Sequence, residues 1–154
     1  MGHARYLTIQ DMIWIHLQLT DKVYPYEFLK LEEATFYQYG YGTSTEPADR
    51  APSLFHGFMK NKPFEKHNEV VGFIAFVAFL ELNGLRFTSE DAACARWSGP
   101  PAEEKLKGSI EAGEPCHEGV KERVQEIITR YPKTIAKMIA RGNEAEPSAF
   151  VSIA

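Results

Sequence analysis

Residues 61–84 read NKPFEKHNEVVGFIAFVAFLELNG. The stretch opens with a charged, proline-containing turn that carries Lys62, Lys66 and His67, and then becomes almost continuously apolar from Val70 to Leu82. Pro63 cannot donate in a helix interior and interrupts whatever precedes it. Asn68 is placed to cap a following helix, and Asn83-Gly84 is a helix stop. Between these signals, Val70, Val71, Phe73, Ile74, Phe76, Val77, Phe79 and Leu80 leave no polar face. A helix that is apolar all round is surrounded by protein. Phe and Val also suit a buried strand, but the length of the run and its terminal signals select a helix. The stretch therefore predicts a central helix around which the rest of the chain packs.

On the N-terminal side, Thr8-Ile-Gln-Asp11 has the form of a capping box with Asp in place of Glu. Met12, Ile13, Ile15, Leu17 and Leu19 follow it, which predicts a helix over about 9–19. Tyr24-Pro25 breaks that pattern. A second helix is expected from Glu27 to Tyr37, ending at Gly40, and the stretch Tyr39–Pro47, with its glycines, small hydroxyl residues and closing proline, reads as a loop suited to act as a flap. Ala51–Lys60 reads as a short helix with Leu54, Phe55 and Phe58 turned inward.

On the C-terminal side, Ser89-Glu-Asp-Ala predicts the cap of a helix to about Trp97, and Ser98-Gly-Pro-Pro101 is a break. More polar helical stretches follow over 102–112, 120–131 and 132–141, with Pro132 suited to a first turn. No strand alternation of useful length is present. The expected class is all-α. Residues 1–99 are read as the core, 100–141 as appended helices of the same compact domain, and 142–154 as a flexible tail. The appended helices are expected to pack on the core or to form a contact between copies, giving a homo-oligomer.

The 154 residues suit one domain with its own core, and 44% hydrophobic with 25% charged residues is ordinary for a globular protein. A net charge of −4 provides no strong positive field, which argues against a nucleic-acid partner. The longest apolar stretch is too short to span a bilayer, so no membrane partner is expected. The start of the chain, MGHARYLTIQDMIWIH, mixes charge with its apolar residues unlike a signal peptide, and the expected location is cytoplasmic. Cys94 and Cys116 make no disulfide framework.

Three motifs together carry a resemblance: RYLTIQDMIWIH near the start, LFHGFMKNKPF before the turn, and a buried helix ending in FLELNG. From Tyr6 to Phe87 the chain resembles the Doc (death-on-curing) branch of the Fic/Doc family. Its signature is His-Pro-Phe-x-Asp-Gly-Asn-Lys-Arg at the start of a buried helix. The resemblance implies a compact helical fold. It also implies a site in which the His takes a proton from a target hydroxyl, the Asp holds Mg²⁺ on nucleotide phosphates, and the Gly-Asn turn and basic residues bind phosphate at the helix start. Fic members typically transfer AMP to a protein hydroxyl. Doc-type members transfer phosphate as toxins that block translation and are neutralised by antitoxins. ATP with Mg²⁺ is thus the cofactor the resemblance implies, and an antitoxin-like or target protein the implied partner.

Aligned on this signature, Pro63, Phe64 and Asn68 match, whereas the family His falls on Lys62, the Asp on Lys66, the Gly on His67, and the Lys-Arg pair on Glu69 and Val70. Lys62 is ordinarily protonated at neutral pH and cannot accept a proton. Lys66 has the wrong sign for Mg²⁺, which takes hard oxygen ligands. Glu69 suits a helix start but repels phosphate, and Val70 removes a fork of donors. The expectation is a degenerate transferase that acts by binding, with Phe64, Lys66, His67, Asn68 and Glu69 forming a relic of the anion or nucleotide turn and no metal ligands. The alternative is an active nucleotidyl- or phosphotransferase that uses Lys62, Glu65 or His67 in a rearranged site; a purely structural module is the third reading. His56 is read as a packing histidine, Cys94 as a buried thiol, Cys116-His117 as lacking a second pair for a metal, and Phe36, Tyr37, Tyr39 and Tyr41 as core and loop anchors.

Overall fold

The computed structural model describes residues 4–22, 24–39, 46–89 and 99–144. Seven α-helices and one two-stranded sheet make up the regular structure among them. Helix α1 spans Ile9–Thr20, α2 Phe28–Phe36, α3 Pro47–Asn61 and α4 Asn68–Leu82; a 3₁₀ turn, Tyr37–Tyr39, extends α2. Strand β1 is Leu85–Phe87, α5 Pro100–Lys107, β2 Ile110–Ala112, α6 Val120–Arg130 and α7 Pro132–Asn143. The fold is all-α, as the composition and periodicity predict.

Helix α4 is the axis. Every residue from Asn68 to Leu82 is buried, and α3 packs along it most extensively, with α1, α6, α7 and β1 on its other sides. Each of its buried Phe, Leu, Ile or Val side chains contributes roughly 2 kcal/mol through removal from water. The α3–α4 approach is close: a Cβ on Gly72 would lie 2.9 Å from Phe58 Cβ. The capping box at α1 is formed in both directions, with Asp11 N–H donating to Thr8 Oγ1 (3.1 Å) and Thr8 N–H to Asp11 Oδ2 (2.8 Å).

Several expectations are corrected. α3 begins at Pro47 rather than Ala51 and carries Pro52 inside it. Pro47 takes the first turn, where its missing N–H matters least, and the helix forgoes one backbone bond at Pro52. Gly99-Pro-Pro101, read as a break, starts a helix, with Gly99 as N-cap. The stretch read as helical over 102–112 ends at Lys107 and turns into β2, which pairs antiparallel with β1 in the register Leu85–Ala112, Arg86–Glu111, Phe87–Ile110. Three residues are too few for a period of two to register in the sequence. α7 reaches Asn143, and Gly142 is buried. Residues 40–45 of the flap expected over Tyr39–Pro47, the helix expected after Ser89 with its Cys94, and residues 145–154 lie outside the described residues. Among the described residues, no helix is long and apolar enough to cross a membrane.

Candidate functional site

The turn between α3 and α4 is built from its backbone outward. Lys62 ends α3 in the left-handed region (φ 45°) and is exposed. The chain then runs extended beside residues 25–27: Glu27 N–H donates to Pro63 C=O and Glu65 N–H to Pro25 C=O, both at 2.9 Å, pairing Tyr26 with Phe64 in a single antiparallel bridge. Phe64 is buried beneath the turn and stacks on the His16 ring at 4.3 Å.

Asn68 fixes this turn in a way the sequence reading did not anticipate. It is the first helical residue of α4, not its cap; the N-cap is His67, which makes no side-chain capping bond. The Asn68 amide instead closes on Phe64: Oδ1 accepts from Phe64 N–H and Nδ2 donates to Phe64 C=O, each at 2.9 Å. Both backbone groups of a buried residue are thereby satisfied by one side chain, a role only a carboxamide fills.

At position 67 the backbone keeps a glycine-like conformation (φ 71°) while carrying an imidazole. That ring is 3% exposed. It fills the space over the helix start, 5.2 Å from the Tyr24 ring and 5.9 Å from the His16 ring. Its Nε2 donates to Asn143 Oδ1 at 2.8 Å. The end of α7 is pressed against it: a Cβ on Gly142 would fall 2.6 Å from His67 Cδ2 and 3.2 Å from its backbone N. Arg141 Nε donates to Glu69 Oε1 at 2.7 Å, tying the same turn of α7 to the first turn of α4.

His16 supports the turn from below. A carbonyl can only accept, so the 3.1 Å contact from His16 Nε2 to Lys66 C=O places the proton on Nε2. Burial lowers the His16 pKa from 6.5 to about 4, with the neighbouring His67 adding to the shift and the Lys66 carbonyl opposing it. His16 is therefore a neutral imidazole at physiological pH.

The structure brings Phe64, Lys66, His67, Asn68 and Glu69 together at one helix start. Phe64, His67, Asn68 and Glu69 are buried, Glu65 and Lys66 half-buried, and Lys62 projects outward. It places His56 elsewhere, with its ring 6.0 Å from Tyr37 and Nδ1 3.9 Å from Glu103 of α5. His16, Tyr24, Arg141, Gly142 and Asn143 belong to the site and were missed. One signal for His16 was available: it follows Met12 by four residues on the inward face of α1. Gly142-Asn143 reads locally as a helix stop, and nothing in the sequence tells that its target is a turn 75 residues away in the chain.

The donor set does not fit Mg²⁺-nucleotide. Lys66 offers a cation where a metal would need a hard oxygen ligand, the Glu69 carboxylate is engaged by Arg141, and His67 fills the volume over the helix N-terminus. Among the described residues no three His, Cys, Asp or Glu side chains converge as metal ligands. In comparisons with known proteins, the chain matches no family model, no curated protein and no solved structure.

Proposed function

We propose that this protein is a Fic/Doc-like scaffold that has exchanged group transfer for binding a protein partner, an antitoxin-like peptide or a former target. The resemblance runs from Tyr6 to Phe87 and includes the turn, and the observation that carries the reading is the closure of that turn by the chain's own side chains. His67 and the Gly142-Asn143 end of α7 occupy the place over the helix start that a phosphate needs. The pairing of Glu69 with Arg141 reinforces this closure with an ion pair in which the acid sits on the helix that should attract the anion. Lys62, at the base position of the signature the chain resembles, is exposed at the end of α3 and is not enclosed with the turn.

The test is transfer and binding together. Incubation with ATP labelled at the α or γ phosphate, with Mg²⁺, is expected to leave both this protein and a cell extract unlabelled. Titration of Mg²⁺-ATP is expected to show no saturable binding that Lys66→Ala alters. Label on any protein, or binding weakened tenfold by Lys66→Ala, overturns the reading in favour of a rearranged transferase using Lys62, Glu65 or His67.

A further inference from the structure

The extended chain beside the turn leaves one edge unpaired. The bonds that flank Tyr26 and Phe64, from Glu27 N–H to Pro63 C=O and from Glu65 N–H to Pro25 C=O, make these two residues a non-hydrogen-bonded pair. In such a pair each residue turns its own N–H and C=O away from the other. On the Phe64 side both groups are taken by the Asn68 carboxamide. On the Tyr26 side neither has a partner among the described residues. Proline commonly blunts an edge, but Pro25 does not blunt this one. Its C=O is turned inward to Glu65, and the N–H it lacks would have pointed the same way.

Exposed apolar side chains flank the open edge. Phe28 is 53% and Leu29 77% exposed, and Tyr26 is exposed as well, with its ring 6.0 Å from the Phe64 ring. The sequence here is nearly symmetric: Tyr24-Pro-Tyr-Glu-Phe28 has an aromatic residue two positions to either side of Tyr26. A second copy related by a two-fold axis at Tyr26 would present the same edge antiparallel to the first. The two Tyr26 residues would then exchange both N–H···O=C bonds. That register sets Tyr24 opposite Phe28 and Glu27 opposite Pro25, so aromatic meets aromatic and no charge meets its like. Any extended peptide can use such an edge; the symmetry of donors, aromatics and charge about one residue is what selects a second copy.

We infer that the chain pairs with a second copy of itself along this edge, in an antiparallel two-fold contact centred on Tyr26. The inference does not rest on the loss of group transfer. Tyr26, Phe28 and Leu29 offer on the order of 300 Å² per copy, against roughly 800 Å² per partner in a standard interface. The dimer is therefore weak, forming at high micromolar concentration rather than as an obligate unit.

The experiment uses the full chain. Sedimentation velocity and backbone amide spectra are recorded from about 10 µM to about 1 mM. A dimer is expected to form across that range, with the concentration-dependent shifts centred on residues 24–29 and exchange of the Tyr26 N–H slowed at least fivefold. Because Tyr26 meets itself, Tyr26→Asp and Tyr26→Lys are each expected to weaken association at least tenfold. An equimolar mixture of the two is expected to restore it to within threefold of the wild type. The wild-type Tyr26 exchange decides even where a variant fails to fold. A monomer throughout, which would leave the edge to a different chain, overturns the inference. So do shifts centred on α6 or α7, unchanged Tyr26 exchange in the dimer, or folded charged variants that the mixture does not rescue.

Discussion

His67 stands where the backbone favours glycine, and the energetics of that residue explain why the turn is closed rather than merely altered. A left-handed conformation costs a non-glycine side chain roughly 1 kcal/mol, and here the buried ring contacts and the Asn143 bond offset it. His67→Gly relieves the strain but leaves a cavity beneath α7, so unfolding free energy is expected to fall by about 1–3 kcal/mol, measured by urea denaturation. His16 gives the turn a pH dependence of known sign. The folded protein holds this imidazole at a pKa of about 4 against 6.5 when unfolded. Between those values the unfolded chain binds more protons, so stability drops as pH falls from about 6.5 to 4 and levels off below. The loss is expected to be about 2–3 kcal/mol, and His16→Phe should remove that part of the slope in urea titrations at pH 7, 5.5 and 4. Glu69 and Arg141 form a pair that is mostly withdrawn from solvent. Glu69→Ala should cost about 3 kcal/mol by leaving the guanidinium buried without its carboxylate, and the Glu69→Ala/Arg141→Ala double variant less than the sum of the singles. At this scale the sequence disclosed which residue types stand in the turn, because each is read off one position. It did not disclose the contacts that close the turn, because they come from residues 141–143.

Among elements, α4 was the most legible and the sheet the least. An apolar run bounded by Pro63 and Asn83-Gly84 admits one reading once its length is weighed, and α4 is buried from end to end. β1 and β2 owe their pairing to each other across a long separation, and each is too short to carry its own signal. α7 was visible as a helix, but its end was not visible as a contact. Gly142 tests that contact. An alanine there gains about 1 kcal/mol of helix propensity over glycine, yet its Cβ would meet His67 at 2.6 Å. Overpacking of this kind costs about 1–3 kcal/mol, so the larger Gly142→Val is expected to be net destabilising. Hydrogen exchange should accelerate at residues 66–71 while the amides of α6 keep their protection. Gly72 tests the α3–α4 seam in the same way: Gly72→Ala is expected to lower the unfolding midpoint despite its better propensity, since the neighbour it meets is the Phe58 Cβ rather than a flexible tip.

For the molecule as a whole, the appended C-terminal helices are part of the core. Val124, Ile127, Ile135 and Met138 belong to the same apolar cluster as α4, and Glu81 near the end of α4 receives a two-point bond from Arg130 at 2.6 and 3.1 Å. Removing residues 132–154 should therefore abolish the single cooperative thermal transition rather than release an independent tail, as calorimetry can establish. Fold class was readable because helical periods and stops are local. The closure of the turn was not, because it depends on the tertiary return of α7. Helix α4 itself has no preferred face, so its own apolar residues do little to set its rotation about its axis. That setting falls to the close approach at Gly72 and to the polar groups towards its ends, Asn68 clasping Phe64 and Asn83 clasping Arg5, with Glu69 held by Arg141 and Glu81 by Arg130. Under neutral drift, the apolar interior of such a helix can exchange Val, Ile, Leu and Phe in compensated sets as long as total volume holds. Lineages of this protein should accordingly diverge fastest in the residues that look most essential to its core, while Gly72 and the polar groups towards the helix ends stay fixed.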